Sequence, residues 1–274
     1  MRLSNFGTLK SFSERLHRAA ADSDSILCVG LDIDADRINP ESPPSLEEMK
    51  SFTESVIEAT LEHVAAFKLN LAFFEMYGSQ GYTWLEEMLD FIGGRRLTIG
   101  DGKRGDIGNT AKKYAAAMFD HFGFDAVTLS PYMGPDSLAP FLDRPDRGAF
   151  ILCLTSNPGS REIQLWEASG VAVYRRVISM VKDLNEHDNC GLVIGATKPE
   201  QMADVRLEAG QMPFLIPGIG AQGGDLEASV SACSGDGIGL INVSRAVLYA
   251  ADPAHAAAEF KSRINRFKKS SKAG

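Results

Sequence analysis

The feature that most constrains this chain is an alternation. Eight short apolar runs recur along it, separated by longer amphipathic stretches. That pattern belongs to parallel strands joined by crossover helices. The runs are Ile26–Asp32, Val64–Asn70, Leu97–Lys103, Ala126–Ser130, Phe150–Ser156, Gly191–Thr197, Phe214–Gly220 and Ile238–Ser244. Helical periods lie between them, as at Leu46–Leu61, Thr110–Phe122, Val171–Glu186 and Ala254–Phe267. Eight such units close a TIM-type (β/α)₈ barrel, for which a length of 274 residues is ordinary. An open doubly wound sheet fits eight near-equal units without a domain break less well. The expectation is one α/β barrel domain over 1–274, its barrel spanning about 24–267, with a short N-terminal helix and a frayed tail from Lys268 to Gly274.

Composition removes several classes of function. Hydrophobic residues make up 44% and charged residues 23%, as in an ordinary folded domain. The net charge of −8 comes with no basic stripe, so no nucleic-acid partner is expected. No stretch approaches the ~20 apolar residues of a membrane span, and the N-terminus has no signal-peptide core. The four cysteines form no CxxC pair, and Cys28 and Cys153 sit inside apolar runs, which reads as free buried thiols in a reducing cytoplasm. The five histidines lie in or near helical stretches without ligand spacing, so no metal is expected. Ser156 has no histidine partner, which leaves a serine-hydrolase triad unsupported.

Polar residues cluster at the C-terminal ends of the runs: Asp32, Lys68, Asn70, Asp101, Lys103, Ser130, Thr155, Ser156 and Thr197. In a barrel these ends open onto one face, where active sites lie. Asp101 and Lys103 stand two apart on one strand and point to the same side, Lys68 ends the neighbouring strand, and Asp106 follows where the next helix starts. A buried lysine is costly unless paired. A rim salt bridge, or Asp106 as a helix N-cap, would explain one residue at a time. Four alternating charges at the reactive face point to chemistry.

Gly218-Ile219-Gly220-Ala221-Gln222-Gly223 matches G-x-G-x-x-G. A dinucleotide fingerprint would follow the first strand of a βαβ unit and lead to an acidic residue at the next strand end. Here it follows the seventh strand, and the eighth ends in Ser244-Arg245. Barrels hold phosphate in the loops after these two strands, with glycine backbone N–H groups on the oxygens and Arg245 as a bidentate clamp.

The run Asp101-Gly102-Lys103-Arg104-Gly105-Asp106-Ile107-Gly108-Asn109-Thr110 resembles the signature of orotidine 5′-phosphate decarboxylases. Phe67-Lys68-Leu69-Asn70-Leu71-Ala72-Phe73-Phe74-Glu75 is similar to the second-strand signature of the family's longer bacterial form, type 2. The resemblance spans Asp32 to Arg245 and departs locally at Gly102, where the family often has alanine. It implies conversion of orotidine 5′-phosphate to uridine 5′-phosphate and carbon dioxide, the last step of de novo pyrimidine synthesis, with no metal or organic cofactor. It implies a charged network of Lys68, Asp101 and Lys103, and a homodimer in which Asp106, Ile107 and Thr110 reach the partner's site. It places Asp32 on the ribose, Ser156 near the pyrimidine, and Gln222 and Arg245 on the phosphate beside Gly218, Gly220 and Gly223. Two rivals remain. Magnesium-dependent sugar-phosphate decarboxylases and aldolases share the acid-x-lysine-x-x-aspartate pattern. A non-catalytic nucleotide-binding protein on this scaffold would be expected to have lost part of the charge network, all of which is present here.

Overall fold

The computed structural model describes residues 11–196, 199–220, 224–234 and 237–270. Eight parallel strands among them close a barrel: β1 Leu27–Gly30, β2 Ala66–Asn70, β3 Leu97–Arg104, β4 Ala126–Leu129, β5 Gly148–Leu154, β6 Cys190–Ile194, β7 Phe214–Ile216 and β8 Gly239–Val243. Each pairs with its sequence neighbours and β8 returns to β1, as right-handed strand–helix–strand units require. Six of the eight strands are shorter than the apolar runs because ladder pairing stops where the chain turns into the loops; β7, for instance, ends at Ile216 just before Pro217 and Gly218.

The longer helices are α1 Phe12–Asp22, α2 Leu46–Thr60, α3 Gly78–Ile92, α4 Gly108–Ala115, α5 Pro135–Leu142, α6 Val173–Leu184, α7 Pro199–Ala209, α8 Leu226–Ala232 and α9 Pro253–Ser270. α1 is the expected N-terminal helix. It starts at a capping box in which the Ser11 hydroxyl accepts from the Glu14 N–H at 3.3 Å and the Glu14 carboxylate accepts from the Ser11 N–H at 3.2 Å. Its apolar side, Phe12, Leu16 and Ala20, is buried, and the Phe12 ring meets Phe150 of β5 edge-on at 6.0 Å. Burying one such ring stabilises the fold by about 2–3 kcal/mol, which fastens the helix to the barrel.

Two stretches differ from expectation. α9 runs through Ser270, so Lys268–Ser270 continue the helix where a frayed tail was expected. The helix after β3 begins at Gly108 and passes at Ala116–His121 into a π-helical turn. The long connection after β5 is built, not structureless. It holds a 3₁₀ turn, Pro158–Glu162, then a two-residue antiparallel hairpin pairing Glu167–Ala168 with Val171–Ala172, with Ser169 and Gly170 at positive φ in its tip. No helix among the described residues is long and apolar enough to cross a membrane.

Candidate active site

The barrel register brings the charged residues together. β2 and β3 pair Lys68 with Ile99 and Asn70 with Asp101, so strand alternation sends Lys68 and Asp101 into the same lumen. There the Lys68 ammonium donates to Asp101 Oδ2 at 2.6 Å and lies 3.8 Å from Asp32 Oδ1. The Lys103 ammonium donates to the other oxygen, Asp101 Oδ1, at 2.6 Å. Lys68 is 4% exposed and Asp101 8%, whereas the Lys103 side chain is 48% exposed at the mouth. One carboxylate therefore sits between a buried ammonium and an accessible one.

The electrostatics follow from that geometry. Burial opposes the charge on Asp101, yet Lys68 and Lys103 outweigh it and hold the carboxyl well below the usual carboxylate range. Burial likewise opposes the charge on Lys68, and Asp101 with Asp32 outweighs it, keeping the ammonium well above the ordinary lysine value. Asp101 and Lys68 are therefore both ionised at neutral pH.

The backbone at Lys103 is unusual. Its φ of +46° lies in the left-handed region, and the β3–β4 register shifts between Gly100 and Arg104. A non-glycine residue there costs on the order of 1–3 kcal/mol and persists only where its surroundings fix it. Thr128 on β4 does the fixing: its hydroxyl accepts from the Lys103 N–H at 3.0 Å and donates to Asp101 Oδ1 at 2.8 Å. Thr128 was not singled out in the sequence. Its signal is a hydroxyl inside the apolar run Ala126–Leu129, at the position facing the acid.

A second residue missed by sequence reasoning holds Asp32. The Tyr249 hydroxyl accepts from the Asp34 N–H at 2.8 Å and donates to the Asp32 carbonyl at 3.1 Å, with its ring stacked on Phe52 at 6.1 Å. This pins the chain as it leaves β1. Asp32 Oδ1 is buried without a hydrogen-bond partner.

Asp106, Ile107 and Thr110 are not brought to Lys103 within one chain. Asp106 does not cap α4. The N-cap is Ile107, without a side-chain bond, and among the described residues the Asp106 carboxylate accepts only its neighbour's N–H, at 2.8 Å. Ile107 is 52% exposed and Thr110 is also exposed. Beside them Arg104 pairs with Glu75 and lies over the Tyr114 ring at 5.4 Å.

On the far side of the mouth, Gly218 and Gly220 take φ of +104° and +83°, values that glycine adopts without strain. The loop after β7 folds back so that the Gly224 N–H donates to the Gly218 carbonyl at 3.2 Å. A Cβ on Gly220 would stand 3.1 Å from Ala246, so this loop lies against the turn that starts at the exposed Arg245. Gln222, Gly223 and Thr197 lie outside the described residues. Ser156 lies two residues beyond the end of β5, half-buried, with its backbone packed on Gly195. Among the described residues no group of three or more His, Cys, Asp or Glu is placed to hold a metal ion.

Comparison with known proteins agrees with this geometry. The chain is 43% identical to the orotidine 5′-phosphate decarboxylase of Dehalococcoides mccartyi strain CBDB1 over 271 residues, covering 94% of this chain and 98% of that one. It is 48% identical to the Roseiflexus castenholzii enzyme of the same name over 244 residues, 88% and 89% of the two chains. Among solved structures, the OMP decarboxylase of Leishmania donovani superposes with a TM-score of 0.86 at 39% identity, covering 95% of this chain and 99% of that one. Residues 25–260 match the profile of one family. With a closed barrel, a lysine–aspartate–lysine array at its mouth and this extent of identity, the chain belongs to the orotidine 5′-phosphate decarboxylase / HUMPS family.

Proposed function

We propose that this barrel decarboxylates orotidine 5′-phosphate to uridine 5′-phosphate and carbon dioxide by fixed electrostatics, with Lys103 stabilising and then protonating the reacting carbon. The observation that carries the reading is one carboxylate, Asp101, hydrogen-bonded by two ammoniums at the barrel mouth. The bond from C6 to the carboxylate breaks, carbon dioxide leaves, and the electron pair stays on C6. A vinyl carbanion has no ring system to drain into, so preorganised positive charge must stabilise it. Lys103 is that charge. It gives a proton to C6 and is reprotonated from solvent. Lys68 holds Asp101 in place and reaches the ribose.

Asp101 adds a smaller push. Two like charges ~4 Å apart at an effective dielectric of ~20 repel by about 4 kcal/mol. Relief of that repulsion is worth roughly three decades of rate. The larger share belongs to Lys103, because ground-state repulsion alone falls far short of so slow a reaction.

The remaining residues bind. Asp32 Oδ1 is a buried acceptor that a ribose hydroxyl would satisfy. Ser156 faces the pyrimidine. The backbone of Gly218, Gly220 and Gly223, with Gln222 and Arg245, takes the phosphate, whose remote binding energy helps to organise the site. Two chains form the working unit, each lending Asp106, Ile107 and Thr110 to the other's site. The half-buried Asp106 that caps no helix and the exposed Ile107 beside it support this. The enzyme suits a reducing cytoplasm, since Cys28, Cys153, Cys190 and Cys233 are buried free thiols.

The testing experiment follows the absorbance of orotidine 5′-phosphate with purified protein, with and without a chelator. Rapid loss at the same rate in both is the expected result. No turnover of the nucleotide, with turnover of a sugar phosphate once magnesium is supplied, overturns the reading in favour of the magnesium-dependent branch.

A further inference from the structure

β5 ends irregularly. Its register with β6 shifts between Leu152 and Leu154, a bulge that interrupts the ladder just before Thr155 and Ser156. The last ladder contact is the Gly195 N–H donating to the Leu154 carbonyl at 2.7 Å. The Thr155 N–H finds its acceptor nine residues on, in the Gln164 side chain. It donates to Gln164 Oε1 at 2.8 Å, and Gln164 Nε2 donates back to Thr155 Oγ1 at 2.8 Å. The threonine hydroxyl in turn donates to Asn157 Oδ1 at 2.6 Å. One carboxamide thus engages both the backbone N–H and the hydroxyl of Thr155. The Gln164 backbone is equally engaged: its N–H donates to the Ser160 carbonyl at 2.7 Å, and its carbonyl accepts from Tyr174 at the start of α6 at 3.0 Å.

The clamp closes around Ser156. Thr155 precedes it and Asn157 follows it, and both are tied into the Gln164 set. On its other side the chain is pressed against β6: a Cβ on Gly195 would lie 2.7 Å from the Ser156 nitrogen and 3.0 Å from its Cβ. With its neighbours held and its back against Gly195, the serine has little freedom in where its hydroxyl points.

We infer that Gln164 is a positioning residue of the pyrimidine subsite, which acts through Thr155 to hold Ser156 in its substrate-facing orientation and couples the loop after β5 to that orientation. The inference rests on the reading that Ser156 contacts the pyrimidine. Gln164 is half-buried and outside the charged network, so its loss should weaken capture of the ring more than the proton transfer at Lys103.

The experiment compares Ser156→Ala, Gln164→Leu, Gln164→Glu and the double variant Ser156→Ala/Gln164→Leu. For each, kcat and KM for orotidine 5′-phosphate are measured, together with the melting temperature. Leucine keeps the volume and removes the bonds. Glutamate keeps an acceptor for the Thr155 N–H and can accept from the Thr155 hydroxyl once that turns. The expected result is a roughly ten-fold rise in KM for Gln164→Leu, with kcat changed less than about three-fold, as loss of the clamp's hydrogen bonds implies. Glutamate should restore most of it, and the double variant should be no worse than Ser156→Ala alone. Full additivity in the double variant, an unchanged KM in Gln164→Leu, or no rescue by glutamate overturns the inference while leaving the Ser156 reading intact. An unchanged Ser156→Ala enzyme overturns both, and that single variant tells the two failures apart. If Gln164→Leu does not fold, Thr155→Val, which removes the hydroxyl and keeps the backbone N–H bond, carries the same comparison.

Discussion

The β3–β4 pair carries two charge clusters, one at each end, and they are built alike. At the upper end Asp101 of β3 takes two lysines and the hydroxyl of Thr128 on β4. At the lower end Asp125, just before β4, pairs with Arg15, lies 3.6 Å from Arg147, and accepts from the Thr98 N–H on β3 at 2.8 Å and from its hydroxyl at 3.1 Å. Both aspartates are largely buried, with side chains 9% and 14% exposed. The difference lies in the cations and the backbone. Arginine stays charged at any working pH and forks onto a carboxylate, which suits a permanent tie. Lysine holds a proton it can give away. Only the upper cluster includes a residue held at positive φ, Lys103, with its ammonium half in solvent. One arrangement fastens α1 at the closed end of the barrel and is the proposed proton source at the open end, in keeping with the division of labour between the two faces of such barrels.

The largest effect that tests this contrast is at Lys103. Lys103→Ala should lower turnover by more than about 10⁴-fold, since the proposed mechanism draws both the stabilising charge and the proton from this residue. Lys103→Arg keeps a charge beside Asp101 and should remain deeply impaired, because guanidinium does not release a proton at neutral pH. Both proteins should melt within a few degrees of the parent. Near-normal turnover of the arginine variant, followed by absorbance, would reduce the upper cluster to a second fastener.

The two clusters should also differ in completeness. The lower one is closed within a chain, whereas Asp106 finds no cation within its own chain among the described residues. Mixing Lys103→Ala and Asp106→Ala chains, each inactive alone, should regenerate one intact site in every hybrid dimer. Random pairing gives about a quarter of parental activity. No recovery, with hybrids demonstrated by mass, would show that each chain completes its own site.

A smaller and different effect is expected below. Asp125→Asn removes the carboxylate that Arg15 and Arg147 share, while Arg147 keeps Asp146 at 3.4 Å, and should cost about 2–3 kcal/mol of stability, or about 4–12 °C in melting temperature. Activity per folded molecule should stay within about two-fold of the parent. A fall in kcat comparable to that at Lys103 would mean the two ends of the β3–β4 pair are coupled, and the separation drawn here would fail.

Much of this was legible in the sequence, for identifiable reasons. The barrel could be read because eight buried strands must be apolar and their connections must be helical. Lys68, Asp101 and Lys103 could be read because charge at the end of an apolar run is expensive and therefore informative. The same strand-period logic placed Asp101 and Lys103 on one side, and they do meet, although the strand has left regular geometry at Lys103 and Thr128 holds it there. Thr128, Tyr249 and Gln164 stayed hidden because threonine, tyrosine and glutamine are unremarkable in composition. Their roles come from partners 25, 217 and 9 residues away. The lower cluster was equally invisible, since Arg15 meets Asp125 across 110 residues.

The smallest expected effect concerns the residue between the charges of Asp101 and Lys103. Gly102 has no positive φ, so nothing in its own backbone demands glycine. A Cβ there would stand 2.7 Å from Leu71 Cδ1 and 3.2 Å from Arg104 Nε. Both belong to side chains, and the leucine methyl can swing away. Loss of glycine's freedom in the unfolded chain favours alanine by about 0.4–1 kcal/mol, and the displaced methyl offsets part of that. Gly102→Ala should therefore change stability by less than about 1 kcal/mol, with kcat within about three-fold of the parent. The informative outcome is the other one. A ten-fold loss in kcat with unchanged melting temperature would mean that the crowded Leu71 pushes back on β3 and turns the Lys103 backbone out of its left-handed setting. Lys103 would then be held by the shape of the strand before it as well as by Thr128.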